Sequence, residues 1–291
     1  MIDELVLHDH TKQQVAQFIA GPAHAVLLVG SNGIGKMRLA ESMAAAILQI
    51  DTPLGQYPYF SVVRAEKDSI SIDAIRKLQK FLQLRTLGSE NRVYRRAVII
   101  EHAEQLTTEA QNAYLKLLEE PPADTIMLLT ADNQRALLPT IISRLQTIAV
   151  YAPGESALKE YFAGMGKDET AINQAYFLSG GLPGLMHALL EGDQSHPLLE
   201  GVAQAKEILQ KQTFERLAMV EALSKQRESS RFVIEALQHI AQTGLEQSAK
   251  RGDTAKLQRW HHVLSVAADA DTALRQNANT KLTLSNLMLH I

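Results

Sequence analysis

The chain has 291 residues, 46% hydrophobic and 21% charged, with 29 Lys and Arg against 32 Asp and Glu for a net charge of -3. That length exceeds what one hydrophobic core ordinarily serves, so two or three domains are expected. The slightly acidic balance excludes a protein that coats nucleic acid by charge alone.

No apolar run approaches the roughly 18 residues of a membrane span, and the start MIDELVLHDHTKQQ lacks the basic and apolar regions of a signal peptide. With no cysteine, disulfides and thiolate ligands are ruled out. A cytoplasmic protein without membrane contact is expected.

In the first half, short apolar runs alternate with amphipathic stretches, the pattern of a parallel sheet flanked by helices. The strand candidates are Ala25–Gly30, Tyr59–Val63, Ala97–Glu101, Thr125–Thr130 and Gln146–Tyr151. Between them Lys36–Gln49, Ile72–Leu84 and Thr108–Glu119 place apolar residues three and four apart, as covering helices do. The α/β domain ends near Ala152, with Pro153-Gly154 as a linker.

Beyond it the periodicity predicts helices only: Glu155–Phe162, Asp168–Leu178, Pro183–Glu191, His196–Lys211, Thr213–Lys225, Ser229–Lys250, Thr254–Ala268 and a last one from Asp271. The short helices suit a small lid and the longer ones a separate bundle, so the expected division is 1–152, 153–200 and 201–291. Trp260, in a helix, reads as packing. The ten histidines read as surface or packing residues.

The most informative stretch is Gly30-Ser-Asn-Gly-Ile-Gly-Lys-Met37, which follows a strand and opens a helix. Gly30, Gly33 and Gly35 let backbone N–H groups turn around phosphate oxygens, and Lys36 reaches the outer phosphates beside the helix N-terminus. Met37 stands where a Ser or Thr hydroxyl would bind Mg²⁺, and a thioether is a poor ligand for so hard a cation.

The strand Val98-Ile-Ile100 ends in Glu101-His102, where such a site needs Asp-Glu. Glu101 can still approach a metal through one extra methylene. His102 cannot be the same carboxylate base, although a neutral imidazole accepts a proton. Both departures point the same way: ATP or ADP can be held, and efficient hydrolysis is not expected. Packing roles for Met37 and His102 in a vestigial site fit the same conclusion. Arg85, Arg92 and Arg95, in LRTLGSENRVYRR with Arg96, are candidates for local contact with DNA phosphates, against the plainer reading of a solvated basic loop.

Thr108-Glu-Ala-Gln-Asn-Ala-Tyr-Leu-Lys-Leu-Leu-Glu-Glu-Pro-Pro122 resembles the helix and proline stop that follow the Walker B strand in bacterial clamp loaders. Leu137-Leu-Pro-Thr-Ile-Ile-Ser-Arg-Leu145 resembles their Ser-Arg-Cys element. With Phe177-Leu-Ser-Gly-Gly-Leu-Pro-Gly184 and Leu274-Arg-Gln-Asn-Ala-Asn-Thr-Lys-Leu-Thr-Leu284, the chain over nearly its whole length resembles the AAA+ clamp-loader family of bacterial DNA polymerase III, in its delta-prime form.

The resemblance implies an AAA+ P-loop module with a parallel sheet, then a small helical lid and an all-α collar. It implies that Arg144 acts as an arginine finger in the ATP site of a neighbouring subunit, with Leu145 in place of the family's cysteine. Pro183-Gly184 stands where the gamma/tau ATPase carries a nucleotide-sensing arginine. The short Ile50-Asp-Thr-Pro-Leu-Gly-Gln-Tyr-Pro58 replaces the four-cysteine zinc module of many relatives, so no zinc, no other metal and no required cofactor are expected.

The implied partners are the gamma/tau and delta subunits, the sliding clamp and, within the complex, primer-template DNA. The alternatives are an active gamma-type ATPase and a P-loop-derived scaffold in another assembly.

Overall fold

Five parallel strands form, three of them apolar runs rich in Val, Leu and Ile (β1, β3 and β4): β1 (Ala25–Val29), β2 (Phe60–Val63), β3 (Arg96–Ile100), β4 (Thr125–Ala131) and β5 (Gln146–Ala149). Their order is β2-β3-β4-β1-β5, with Ala25 beside Met127, Val26 beside Gln146, Arg96 beside Thr125 and Phe60 beside Ala97. The computed structural model describes residues 5–66, 69–84, 93–192 and 198–291.

Parallel strands need covering on both faces, and the pleat divides their side chains accordingly. Ala25, Leu27, Val98, Ile100, Met127 and Leu129 share one core with α3 (Ile72–Leu82) and α4 (Thr108–Glu119). The alternate residues Val26, Leu28, Ala97, Ile99, Ile126 and Leu128 are equally buried. α2 (Lys36–Leu48) packs on β3 and β4, and α1 (Asp9–Ala20) on α2 and β5. A short α5 (Pro139–Ile142) leads into β5.

The chain divides into two compact units, Met1–Ala152 and Pro153–Ile291. The second contains α6 (Glu155–Gly164), α7 (Glu169–Ser179), α8 (Pro183–Glu191), α9 (Leu198–Gln210), α10 (Thr213–Leu223), α11 (Arg227–Arg251), α12 (Thr254–Arg275) and α13 (Thr280–His290). α11 packs against α7, α9 and α12, while α13 packs on α10 and α12. Gly180, Gly192 and Gly252 each end a helix in the left-handed region, where a Cβ is penalised.

Two details differ from the sequence reading. α1 is not among the expected helices. α12 continues past Asp271 to Arg275, and α13 begins only at Thr280.

Arg96, counted with the basic loop, is 1% exposed. Its guanidinium reaches the end of α3, donating to the carbonyls of Phe81, Leu82 and Leu84 and standing over the Phe81 ring. It is a helix cap, not a surface cation. Arg85 and Arg92 lie outside the described residues.

Candidate functional site

β1 delivers the chain to Gly30, whose N–H donates to Ala131 O at 3.1 Å. A Cβ here would stand 2.6 Å from the Val150 carbonyl, so only glycine passes between β4 and β5. The loop then turns through Gly35, at φ 95°, which caps α2 without a side chain; that left-handed geometry again favours glycine. The result is a loop at the carboxyl ends of the strands, the usual ligand position in an open parallel sheet.

Lys36, the first residue of α2, is 6% exposed and its ammonium is fully engaged. It donates to Gly30 O at 2.8 Å, Ser31 O at 3.0 Å and Asp132 Oδ1 at 2.7 Å. A phosphate entering the loop therefore has to replace the Asp132 carboxylate as its partner. Met37 follows, half-buried, with no hydroxyl to offer a cation.

At the end of β3, Glu101 accepts from Arg64 Nε at 2.5 Å. The guanidinium thus already supplies positive charge at the carboxylate expected to face a metal. Burial, ahead of repulsion from Glu101, raises the pKa of nearby Glu41, while Arg64 opposes the rise.

His102 takes a left-handed backbone conformation, φ 51°, and its N–H donates to Thr130 Oγ1 at 3.0 Å. Its Nδ1 lies 3.2 Å from Glu104 Oε1 and 3.9 Å from Asp132 Oδ1. The Glu104 hydrogen bond raises the imidazole pKa above its ordinary value, against the opposing effect of burial, with Asp132 adding to the rise. A raised pKa leaves less neutral imidazole near pH 7, which makes His102 a poorer general base than a free one.

His102, Glu104 and Asp132 bring ligand atoms within 4.8 Å of one another, a nitrogen-and-carboxylate set of the kind that holds borderline divalent ions. The Lys36 ammonium at Asp132 competes with any cation there. Asp132 N–H also donates to Glu104 Oε1, at 3.3 Å.

Glu104, Thr130, Asp132 and Arg64 were not singled out from the sequence. The available signal for Asp132 was its place immediately after β4, beside the strand that feeds the loop.

Arg144 follows α5 and is exposed. Its guanidinium donates to Thr140 O at 3.0 Å and to Glu119 Oε1, on the last residue of α4, at 2.9 Å. The next residue, Leu145, packs into the core and anchors the turn. Gly184 lies in the first turn of α8 and offers no side chain. Arg95 is half-buried, and its carbonyl accepts from Tyr57 Oη at 2.8 Å. Among the described residues no helix is long and apolar enough to cross a membrane.

The family described as DNA polymerase III, delta subunit, matches residues 10–153. The DNA polymerase III subunit delta' of Pseudomonas aeruginosa is 36% identical over 215 residues, covering 65% of this chain and 62% of the relative. That of Haemophilus influenzae is 30% identical over 171 residues, covering 54% and 50%. The matches thus span less than two thirds of these relatives' lengths.

Among solved structures, a DNA polymerase III gamma subunit-related protein of Thermotoga maritima superposes with a TM-score of 0.54 at 20% identity. It covers 96% of this chain and 97% of its own, a likeness of fold. A P-loop module on a five-stranded parallel sheet, a helical second unit and these matches together support a DNA polymerase III subunit of the delta-prime type, with the fold of the gamma subunit-related protein.

Proposed function

We propose that the chain is a clamp-loader subunit that supplies Arg144 to the ATP site of a neighbouring gamma/tau-type subunit and turns over little ATP itself. The observation that carries this reading is the contrast between its two arginine- and lysine-bearing elements. Lys36 is buried and satisfied within the chain, whereas Arg144 is exposed and held only by Glu119 and two groups of its own turn. An exposed guanidinium in a fixed turn suits a partner's phosphoryl oxygens, because its planar fork stays charged and matches their geometry.

Met37 without a hydroxyl, Glu101 bound to Arg64 and His102 bound to Glu104 support weak hydrolysis. The retained loop geometry, with Gly33 and Gly35 at positive φ, supports a pocket that admits ADP or ATP. On this reading 153–200 serves as the lid and 201–291 as the collar that fixes the chain's place in the ring. The partners are gamma/tau, delta, the sliding clamp and primed DNA, Arg95 is the remaining described candidate for a DNA phosphate, and no zinc is required.

The test is a reconstituted loader carrying Arg144→Ala or Arg144→Lys. Removing an arginine finger costs on the order of 10³-fold at the site it serves, so clamp loading falls sharply with Ala. Lys rescues it in part, since an ammonium lacks the fork. Full loading and ATP turnover in the Ala complex would overturn the role of Arg144. Turnover near one per second by the isolated chain, ordinary for an enzyme, would overturn its passivity.

A further inference from the structure

The second unit holds the chain's single tryptophan in a built seat. Trp260 of α12 lies against Gly244 of α11, where an added Cβ would stand 2.5 Å from the indole. Phe177 of α7 meets the ring edge-on, with centroids 5.9 Å apart. Beside this pair opens a cleft of 320 Å³ walled by Leu178, Leu209 and Ile240, with Lys206 at its margin. A second cleft of 210 Å³, reaching Arg251 and Lys256, opens against the same two rings.

Interiors are normally filled to near-crystalline density, and here the chain leaves apolar walls uncovered at the size where ligand sites begin. The charge around them is one-sided. Lys256 is tied to Asp253 at 3.0 Å, but Lys206, Arg251 and Arg259 have no ion pair among the described residues. The Arg259 guanidinium stands over the indole, 5.6 Å from its centroid. In a chain of net charge -3, such a local cationic excess around an apolar cleft selects for acidic neighbours.

We propose that the Phe177–Trp260 cleft is a docking site for an acidic segment of a partner protein. A leucine- or phenylalanine-sized side chain enters beside Leu209 and Ile240, and flanking carboxylates meet Lys206 and Arg251. A single nucleic-acid strand also seeks cations and aromatic rings. The indole, however, is already taken up by Gly244, Phe177 and Arg259, and the cleft's other apolar walls, Leu178, Leu209 and Ile240, are aliphatic and offer no ring for a base to stack on, so a protein segment fits better.

Because Trp260 is the sole tryptophan, its emission reads the site directly in the intact chain. The probe is an acetylated, amidated heptapeptide EDLEEFD, compared with KKLKKFK and with a 12-residue oligothymidylate. The expected result is a saturable change in Trp260 emission with the acidic peptide alone, weakening with added salt. Leu209→Asp weakens it at least about fivefold, as loss of an apolar anchor does.

The exposed charge reversals Lys206→Glu and Arg251→Glu each weaken binding about three- to tenfold, and they keep the test valid should Leu209→Asp fail to fold. An unsaturating response overturns the proposal. So do equal binding of the basic peptide, a response to the oligonucleotide that the acidic peptide does not match, and full binding by both charge-reversed variants.

Discussion

Lys36→Met tests whether the P-loop lysine is a strut of the fold. The side chain is 5% exposed and ties two loop carbonyls to Asp132, which is 38% exposed. A hydrogen bond from a charged group contributes about 1.5–3 kcal/mol. Breaking a fully buried pair costs about 3–5 kcal/mol, but Asp132 regains water when its partner leaves, which lowers that figure. The net expected loss is about 2–3 kcal/mol, or about 30- to 150-fold in the local opening constant.

A single unfolding free energy is poorly defined for a chain of two units, and the only tryptophan lies in the second. Hydrogen exchange by mass spectrometry on peptides covering β1 and β4 is therefore the assay. Asp132→Asn combined with Lys36→Met should cost clearly less than the sum of the single changes, because both remove the same contact. Unchanged exchange in Lys36→Met, without nucleotide, refutes the strut and leaves the lysine with no role in the apo fold.

Three further outcomes follow from other contacts. His102 has a raised pKa through Glu104, so its contribution is complete below the ordinary value of 6.5 and is lost as pH rises through the folded-state pKa. Thermal stability of the wild type should fall across that window relative to His102→Gln, and parallel curves would dismiss the pairing. Arg96→Leu leaves three carbonyls at the end of α3 without their donor and should cost about 3 kcal/mol or more, seen as faster exchange in α3, with Arg96→Lys rescuing little for want of the fork. Tyr114, fully buried, donates only to Met127 Sδ at 3.4 Å, so Tyr114→Phe should change stability by less than about 1 kcal/mol; a larger loss in thermal unfolding would mean that the sulfur is a stronger acceptor than it looks.

The sheet was legible because β1, β3 and β4 each hold an unbroken apolar run of four or more residues, and most of the C-terminal helices because glycine or proline punctuates them. The missed features lack such marks. α1 buries only Thr11, Val15 and Phe18, and Thr11 is held by polarity: its hydroxyl donates to Ala149 O and accepts from Tyr151 N–H.

The break between α12 and α13 contains neither glycine nor proline. Asn277 turns it through a left-handed conformation, φ 63°, and Asn279 caps α13. At the site, the motif residues were readable from the strand-to-helix spacing. Their partners Glu104, Asp132 and Arg64 were not, because an ion pair across neighbouring strand ends leaves no periodic trace. Arg96 misled for a related reason: a long cationic side chain beside a basic loop reads as solvated, and only the fold shows it reaching back to α3.

Strand order also governs how this sheet is made. β1 emerges early in synthesis, yet it lies between β4 and β5. At about 5–20 residues per second, the AVLLV run waits on the order of ten seconds for either neighbour to exist. Meanwhile β2 and β3 can pair with each other. The floor of the phosphate loop, Gly30 against Val150, is therefore among the last parts of the first unit to close, and a nascent chain can have its β2–β3 pair in place before it has a P-loop.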